Sequence, residues 1–233
     1  MQYNGIASLA RFYVMKKHPD YIPAFHFRRL TRCYDPFMLC FYPEDALKAA
    51  LVAQARLQPG QGVLDMGCGT GTLTLLIKHA HPDVSVAGLD VDPEVLDIAR
   101  KKAEQANKSI AWQQGSATGL PYLDGSFDRV FACMMLHHLV REDKRQALRE
   151  AYRVLKPGGE LHLADFGKPR DPAMWLVSLL IRWAEQIHDN VLGLLPVFIA
   201  EAGFSPVEET ARYRTVTGVL ALYRACKPMG EMP

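Results

Sequence analysis

The sequence predicts an α/β fold: a seven-stranded, mostly parallel sheet with helices on both faces and an antiparallel C-terminal hairpin strand. Three observations carry that prediction. From Gly62 onward, short β-rich runs alternate with helical patterns, as they do when parallel strands are joined by crossover helices. A glycine loop, Gly67-Cys68-Gly69-Thr70-Gly71, follows the first of those runs and opens the first helix. Two late β-runs, 207–214 and 216–226, stand close enough to pair antiparallel, where a purely dinucleotide-type fold would add further parallel units.

The elements follow in order. Val63-Leu64-Asp65 is the first strand and 73–80 the apolar helix after the loop. A second strand covers 84–89, and 93–106 is a helix with Pro93 at its first position and Asp92 as N-cap. Residues 110–113 and 127–133 supply the third and fourth strands. Ala147, Leu148, Ala151, Val154 and Leu155 recur at helical spacing, so 143–155 is a surface helix. Pro157-Gly158-Gly159 ends it in a tight turn before a fifth strand at 160–165. The rhythm then changes: 172–187 and 191–202 read as helices, with Gly203 as a stop. The whole is one domain of 233 residues, with a helical, aromatic-rich cap at 1–60, a core at 61–167, a helical insert at 168–203 and a closing hairpin at 204–227. Ten of the 19 Phe and Tyr residues fall between Tyr3 and Tyr42, which suits either a lid over an apolar ligand or plain packing on the core.

Charge and cysteine usage narrow the function classes. Lys and Arg total 27 against 25 Asp and Glu, a net charge of +2, which gives no electrostatic footprint for nucleic acid. The five cysteines are odd in number and irregularly spaced, so neither a zinc site nor a disulfide framework is indicated, and a cytoplasmic setting is expected. The N-terminus lacks a signal-peptide layout, and the apolar stretch around 174–181 is too short to span a bilayer.

The loop itself indicates a ligand. Glycines between a strand and a helix let a ligand approach the backbone and meet free N–H groups. Asp90 ends the second strand, 19 residues after Gly71, where an acid accepts hydrogen bonds from ribose hydroxyls. The dinucleotide pattern fails, because Thr72 stands at its third glycine. Asp65, directly before the loop, would repel a pyrophosphate but suits an ammonium and a sulfonium. The charge logic favours S-adenosylmethionine (SAM) over NAD or a nucleoside phosphate.

Four segments carry a family resemblance. Val63-Leu64-Asp65-Met66-Gly67-Cys68-Gly69-Thr70-Gly71 resembles the first motif of class I SAM-dependent methyltransferases, and Leu89-Asp90-Val91-Asp92 the second. Residues 120–128 resemble the lead into strand four, and Leu155-Lys156-Pro157-Gly158-Gly159 the turn before strand five. The match covers about residues 34–226 and is nearest the ubiquinone/menaquinone C-methyltransferase-like subgroup, which also carries a pair like Tyr34-Asp35. The resemblance implies a Rossmann-like fold with SAM as cofactor and a small-molecule acceptor methylated at carbon, oxygen or nitrogen. It implies that Asp65 holds the SAM ammonium and that Gly67, with Gly69 and Gly71, frames the methionine moiety. Asp90 would bind the ribose, Val91 pack on adenine, Ser116-Ala117 border the adenine amine, Cys133 or Met134 border the methyl, and Tyr34 close over SAM. Many relatives have an acid where Ser116 stands, so adenine would rely on the backbone at Ala117.

Methyl transfer from a sulfonium is an in-line displacement needing alignment, exclusion of water and sometimes a base. His137 and His138, just past strand four, are the candidate bases, set against a purely structural strand end. Asp165, ending strand five, either meets substrate or caps the next loop. Asp189-Asn190 is similar to a metal-binding pair of catechol-type methyltransferases, but it precedes an apolar run and reads as a helix N-cap, so no metal is expected. The aromatic N-terminal region and the apolar run from Trp175 to Trp183 favour an apolar or aromatic acceptor, or else a homodimer contact. A SAM-binding regulator or partner subunit without catalysis is the alternative.

Overall fold

The computed structural model describes residues 44–181 and 186–230. Tyr34 and most of the expected aromatic cap lie outside the described residues. Helix α1 (Glu44–Gln54) leads in and buries Leu47, Leu51 and Val52. Then come β1 (Gly62–Met66), α2 (Thr72–Ala80), β2 (Ser85–Asp90), α3 (Pro93–Gln105), β3 (Ala111–Gln114) and β4 (Phe127–Cys133). A single 3-10 turn, Leu136–His138, separates β4 from α4 (Arg141–Val154). The chain continues through β5 (Leu155–Phe166), α5 (Pro172–Ile181), a one-turn α6 (His188–Val191), α7 (Leu195–Glu201), β6 (Val207–Thr215) and β7 (Gly218–Cys226).

The seven strands form one sheet in the order β3-β2-β1-β4-β5-β7-β6. Strands β1 to β5 pair in parallel, and β7 pairs antiparallel with both β5 and β6. The sequence therefore placed the hairpin correctly. Strand β1 lies between β2 and β4, and Val63, Leu64, Asp65 and Met66 are all buried, as expected for a strand covered on both faces. The chain order reverses beside β1, between β2 and β4. In open α/β sheets the crevice at the carboxyl ends of such strands is the usual ligand site.

Two apolar layers cover the sheet. On one face Leu47, Leu51, Ile77, Val63 and Phe131 pack α1 and α2 onto the strands. On the other, Ala147, Leu148, Ala151 and Val154 of α4 join Phe198 and Ile199 of α7 over Leu64, Val130 and Leu163. Asp92 caps α3 through Glu94 N at 2.8 Å with Pro93 behind it, as the sequence implies.

Three boundaries differ from the sequence reading. Leu155 opens β5 instead of closing α4, because it pairs with Phe127 before the register jumps to Arg129 opposite Glu160. Lys156 to Gly159 is thus a bulge within β5, with Gly158 at φ 76°, and not a free-standing turn. The second helix of the insert starts later than expected: the one-turn α6 ends at Val191, Gly193 at φ 79° turns the chain, and α7 begins at Leu195 with Pro196 in its first turn. Finally, Val216 and Thr217 form the tip of the hairpin, where Thr215 Oγ1 donates to Gly218 O at 2.9 Å, so β7 begins at Gly218.

Candidate functional site

The carboxyl ends of β1, β2, β4 and β5 bring the expected residues to one edge of the sheet. Asp65, one residue before the end of β1, is 1% exposed and accepts a 2.6 Å hydrogen bond from Thr74 Oγ1 on α2. Desolvation pushes its carboxyl up to about 6, against the pull of the Thr74 bond and of Lys48. An acid left this dry is matched by a cationic ligand group. A phosphate would make its situation worse.

Asp90, the last residue of β2, ties the glycine loop to its own strand. Its Oδ2 accepts from Gly69 N at 2.8 Å and its Oδ1 from Asp92 N at 3.0 Å. Burial raises its carboxyl despite those bonds. Each oxygen keeps a further lone pair, which suits a pair of ribose hydroxyls. The donor set therefore fits SAM: one buried acid for the ammonium and one braced acid for the sugar.

The three glycines have different reasons to be glycine. A Cβ on Gly67 would sit 2.8 Å from the Met135 side chain. A Cβ on Gly71 would meet Trp112 at 2.7 Å and Ala99 at 2.9 Å, so this glycine lets α2 seat against α3 and β3. At Gly69 a Cβ would meet nothing within 4 Å, and φ is 52°, so its side faces open space. Gly67 N and Cys68 N both donate to Leu89 O, at 2.8 and 3.0 Å. Cys68 is buried, and desolvation followed by the nearby Asp65 and Asp90 pushes its thiol well up, so it is no nucleophile.

On the side expected for adenine, Val91 is half-buried and its carbonyl accepts from Gln114 Nε2 at 3.2 Å. The Ser116 hydroxyl is engaged within its own turn, 2.8 Å from Thr118 Oγ1 and accepting from Thr118 N at 3.2 Å. Ala117 is 8% exposed.

Past β4 the backbone turns sharply. Cys133 pairs with Ala164 of β5, and Met134 takes a left-handed φ of 53° while its N–H donates to Ala164 O at 2.8 Å. That kink delivers Met135 to Gly67 and starts the 3-10 turn carrying both histidines. His137 is 4% exposed; His138 is half-buried with its ring centroid 4.0 Å away. His137 Nδ1 lies 3.0 Å from Asp165 Oδ1, and Phe166 meets the same ring edge-on at 5.1 Å.

Asp165 is fully buried and accepts from Leu136 N, His137 N and Phe166 N at 2.9, 3.3 and 2.7 Å. Asn190 Nδ2 adds a fourth donor at 3.0 Å. The N-cap role expected for Asp189-Asn190 is therefore corrected. Both lie inside α6, which has no side-chain cap. Asn190 faces Asp165, while Asp189 pairs with Arg141 and lies 3.8 Å from the buried Lys144. Partners brought together by the fold outcompeted the local capping pattern. Among the described residues no cluster of His, Cys, Asp or Glu could hold a metal ion.

Several of these groups were not singled out by sequence reasoning. Thr74 shows only as a polar residue in an apolar helix, and Met135 as one apolar residue among several. Lys144 falls on the buried face of α4, where it donates to Gln186 O at 2.5 Å. Its position at helical spacing with Ala147, Leu148 and Ala151 was the available signal.

Comparison with known proteins bears directly on this site. Residues 63–159, from β1 to the bulge of β5, match the methyltransferase domain family. The chain is 32% identical over 184 residues to a demethylmenaquinone methyltransferase of Deinococcus radiodurans, covering 76% of each protein. The chain belongs to the class I SAM-dependent methyltransferases of the menaquinone/ubiquinone type. SAM is the cofactor of this family, and the chain is accordingly a SAM-dependent methyltransferase. A demethylmenaquinone methyltransferase of Thermus thermophilus is 39% identical over 115 residues, a match spanning about half of either protein (49% and 51%). The crystal structure of the YcgJ protein of Bacillus subtilis shares the fold at a TM-score of 0.68 and 20% identity, covering 80% of this chain and 100% of that one. No helix among the described residues is long and apolar enough to cross a membrane.

Proposed function

We propose that this enzyme methylates a reduced, apolar quinone-type acceptor of the kind named in its relatives, at a ring carbon. The observation that carries the reading is the 32% identity over 76% of both chains with a protein named demethylmenaquinone methyltransferase. The exposed apolar side chains of Trp175 and Leu176 on α5 support an acceptor of the same character. The near-balanced charge of the chain supports a small molecule over a nucleic acid, and cysteine usage supports a cytoplasmic setting.

When bound, SAM supplies an electrophilic methyl group on its sulfonium. In this reading Asp65 neutralises the ammonium, Gly67 and Gly69 give the methionine moiety room, and Asp90 and Val91 seat the adenosine. Ser116 and Ala117 edge the adenine, and Cys133 borders the transferred methyl. His137, with the His138 ring tilted against it, takes the acceptor's hydroxyl proton, which raises the electron density of the ring carbon.

A methyl-donor turnover assay on the purified protein tests this. A reduced prenyl-naphthoquinone should be methylated, and a panel of polar amines and thiols should not. Turnover of an amine with none of the naphthoquinol would overturn the acceptor class while leaving the cofactor intact.

A further inference from the structure

We propose that Asp165 is the positioning residue of the site: with Asn190 it holds His137 as the Nδ1-protonated tautomer, leaving Nε2 as the basic atom. This rests on the reading of His137 as proton acceptor. It adds which nitrogen takes the proton and what decides that.

Three separate stretches of chain converge on one carboxylate. Asp165 is the last residue but one of β5, His137 lies 28 residues earlier in the 3-10 turn, and Asn190 lies 25 residues later in α6. Oδ2 is occupied by the Leu136 and His137 backbone N–H groups. Oδ1 takes the Phe166 N–H and the Asn190 amide and faces His137 Nδ1 at 3.0 Å. An ionised carboxylate has no proton to give, so the 3.0 Å contact requires the proton on Nδ1. A neutral imidazole then has its lone pair on Nε2.

Charge keeps the arrangement in one state. Burial alone would raise the Asp165 carboxyl, but His137, the Phe166 N–H and Lys144 outweigh it and hold it below the ordinary carboxylate range. Asn190 supports the same conclusion. Its Nδ2 must face the acceptor-only oxygen, which leaves Oδ1 buried with no hydrogen-bond partner among the described residues. An unpaired buried acceptor is retained in native structures for a reason. Capping the turn needs only the three backbone N–H groups, so the ring and amide on Oδ1 point to orientation of the histidine.

The test is Asp165→Asn. Its NH2 must face either the two fixed backbone donors on Oδ2 or the Oδ1 side, where only one donor, the Phe166 N–H, is fixed. The other two partners on the Oδ1 side can adapt: Asn190 can rotate its amide and His137 can switch tautomer. The amide nitrogen should therefore take the Oδ1 position and drive His137 to the Nε2-protonated form. Long-range 1H–15N correlation on the 15N-histidine-labelled full chain reads this directly, with His137 assigned by the signal lost in His137→Gln. The wild type should show Nδ1–H. Asp165→Asn should show Nε2–H, with SAM Kd within about twofold and kcat on the naphthoquinol down at least about 100-fold, the size of effect a wrong tautomer can have. A wild-type His137 protonated on Nε2 overturns the proposal, and so does a tautomer unchanged in Asp165→Asn. The wild-type spectrum needs no variant, so the proposal stays open to refutation even where Asp165→Asn does not fold. Full activity in His137→Gln removes the histidine from catalysis but leaves the tautomer result standing, which tells the two failures apart.

Discussion

Thr74 Oγ1 donates to Asp65 Oδ2 at 2.6 Å, in a position from which water is excluded. One neutral hydroxyl does not replace the hydration a carboxylate loses on burial, and the Asp65 carboxyl is pushed up to about 6. A native pKa above the unfolded value of 3.8 means that the free protein holds more protons than the unfolded chain between roughly pH 4 and 6. That contribution to stability is present below pH 4 and lost as the pH rises through 6. A shift of about two units corresponds to about 3 kcal/mol of strain in the ionised free protein. A bound ammonium reverses the preference, because it favours the ionised acid. SAM affinity should therefore weaken about tenfold between pH 7 and pH 5 as Asp65 protonates. Calorimetric titration across that range measures it. A flat Kd would show that Asp65 does not meet the cofactor's positive charge.

The same bond offers a mutational test. Thr74→Val keeps the shape of the helix face and deletes the donor. With a charged acceptor the ionised Asp65 should lose about 1.5–3 kcal/mol of stabilisation, so SAM, which favours the ionised acid, should bind more weakly at pH 7. Because the deleted bond favours the ionised acid, the pH at which binding falls off should move upward.

In the proposed reading Asp90 acts both on the ligand and on the loop. Its two carboxyl oxygens accept from Gly69 N and Asp92 N, so Asp90→Ala removes the proposed ribose partner and releases the glycine loop at Gly69 and the turn into α3 at Asp92. SAM binding should weaken by about 1–3 kcal/mol. Asp90→Asn retains one carbonyl oxygen and should fall between the two. If both variants bind SAM like the wild type, the ribose assignment fails.

Trp112 and Gly88 are neighbours across β2 and β3, and the fit between them is close. A Cβ added to Gly88 would lie 2.5 Å from one Trp112 ring carbon and 2.7 Å from another. Gly88→Ala should therefore destabilise the protein by about 1–3 kcal/mol through overpacking. Trp112→Leu alone should also be destabilising, by opening space. The double variant should be more stable than the sum of the two losses, since the added methyl enters the vacated volume. Thermal unfolding of the four proteins in the cycle reads the coupling. Strict additivity would mean that the two sites do not share space.

These residues show what was legible in the sequence. Asp65 and Asp90 could be placed because their meaning is local: an acid at a strand end beside a glycine loop has few alternatives. The mostly parallel sheet and its antiparallel hairpin followed from the alternation of elements and the two late β-runs. Trp112, Thr74 and Asn190 could not be placed, because their partners are set by how β3 lies against β2, α2 against β1, and α6 against β5. Asp189-Asn190 shows the limit most clearly. A capping pattern is a local preference worth about 1 kcal/mol. It yielded to tertiary partners, Arg141, Lys144 and Asp165, that lie 24 to 48 residues from Asp189.

His162 gives a pH dependence of opposite sign to that of Asp65. It is fully buried in the middle of β5, stacked on Phe131 at 5.2 Å. Neither ring nitrogen has a hydrogen-bond partner among the described residues, although Nε2 is 3.2 Å from Glu160 Oε2, close enough for attraction but without hydrogen-bond geometry. Desolvation lowers its pKa against the pull of Glu160, and Arg129 and Arg224 also oppose a charged ring. A native pKa below the unfolded value of 6.5 means that the unfolded chain binds the extra proton. The stability this histidine contributes is full above about pH 6.5 and is lost as the pH falls toward the native value. Replacing it by Phe keeps an aromatic ring against Phe131 and removes the titration. His162→Phe should therefore unfold at a denaturant midpoint that changes less between pH 7 and pH 5 than the wild type's. Urea titrations at the two pH values measure this, and an unchanged difference would assign the acid sensitivity to other groups.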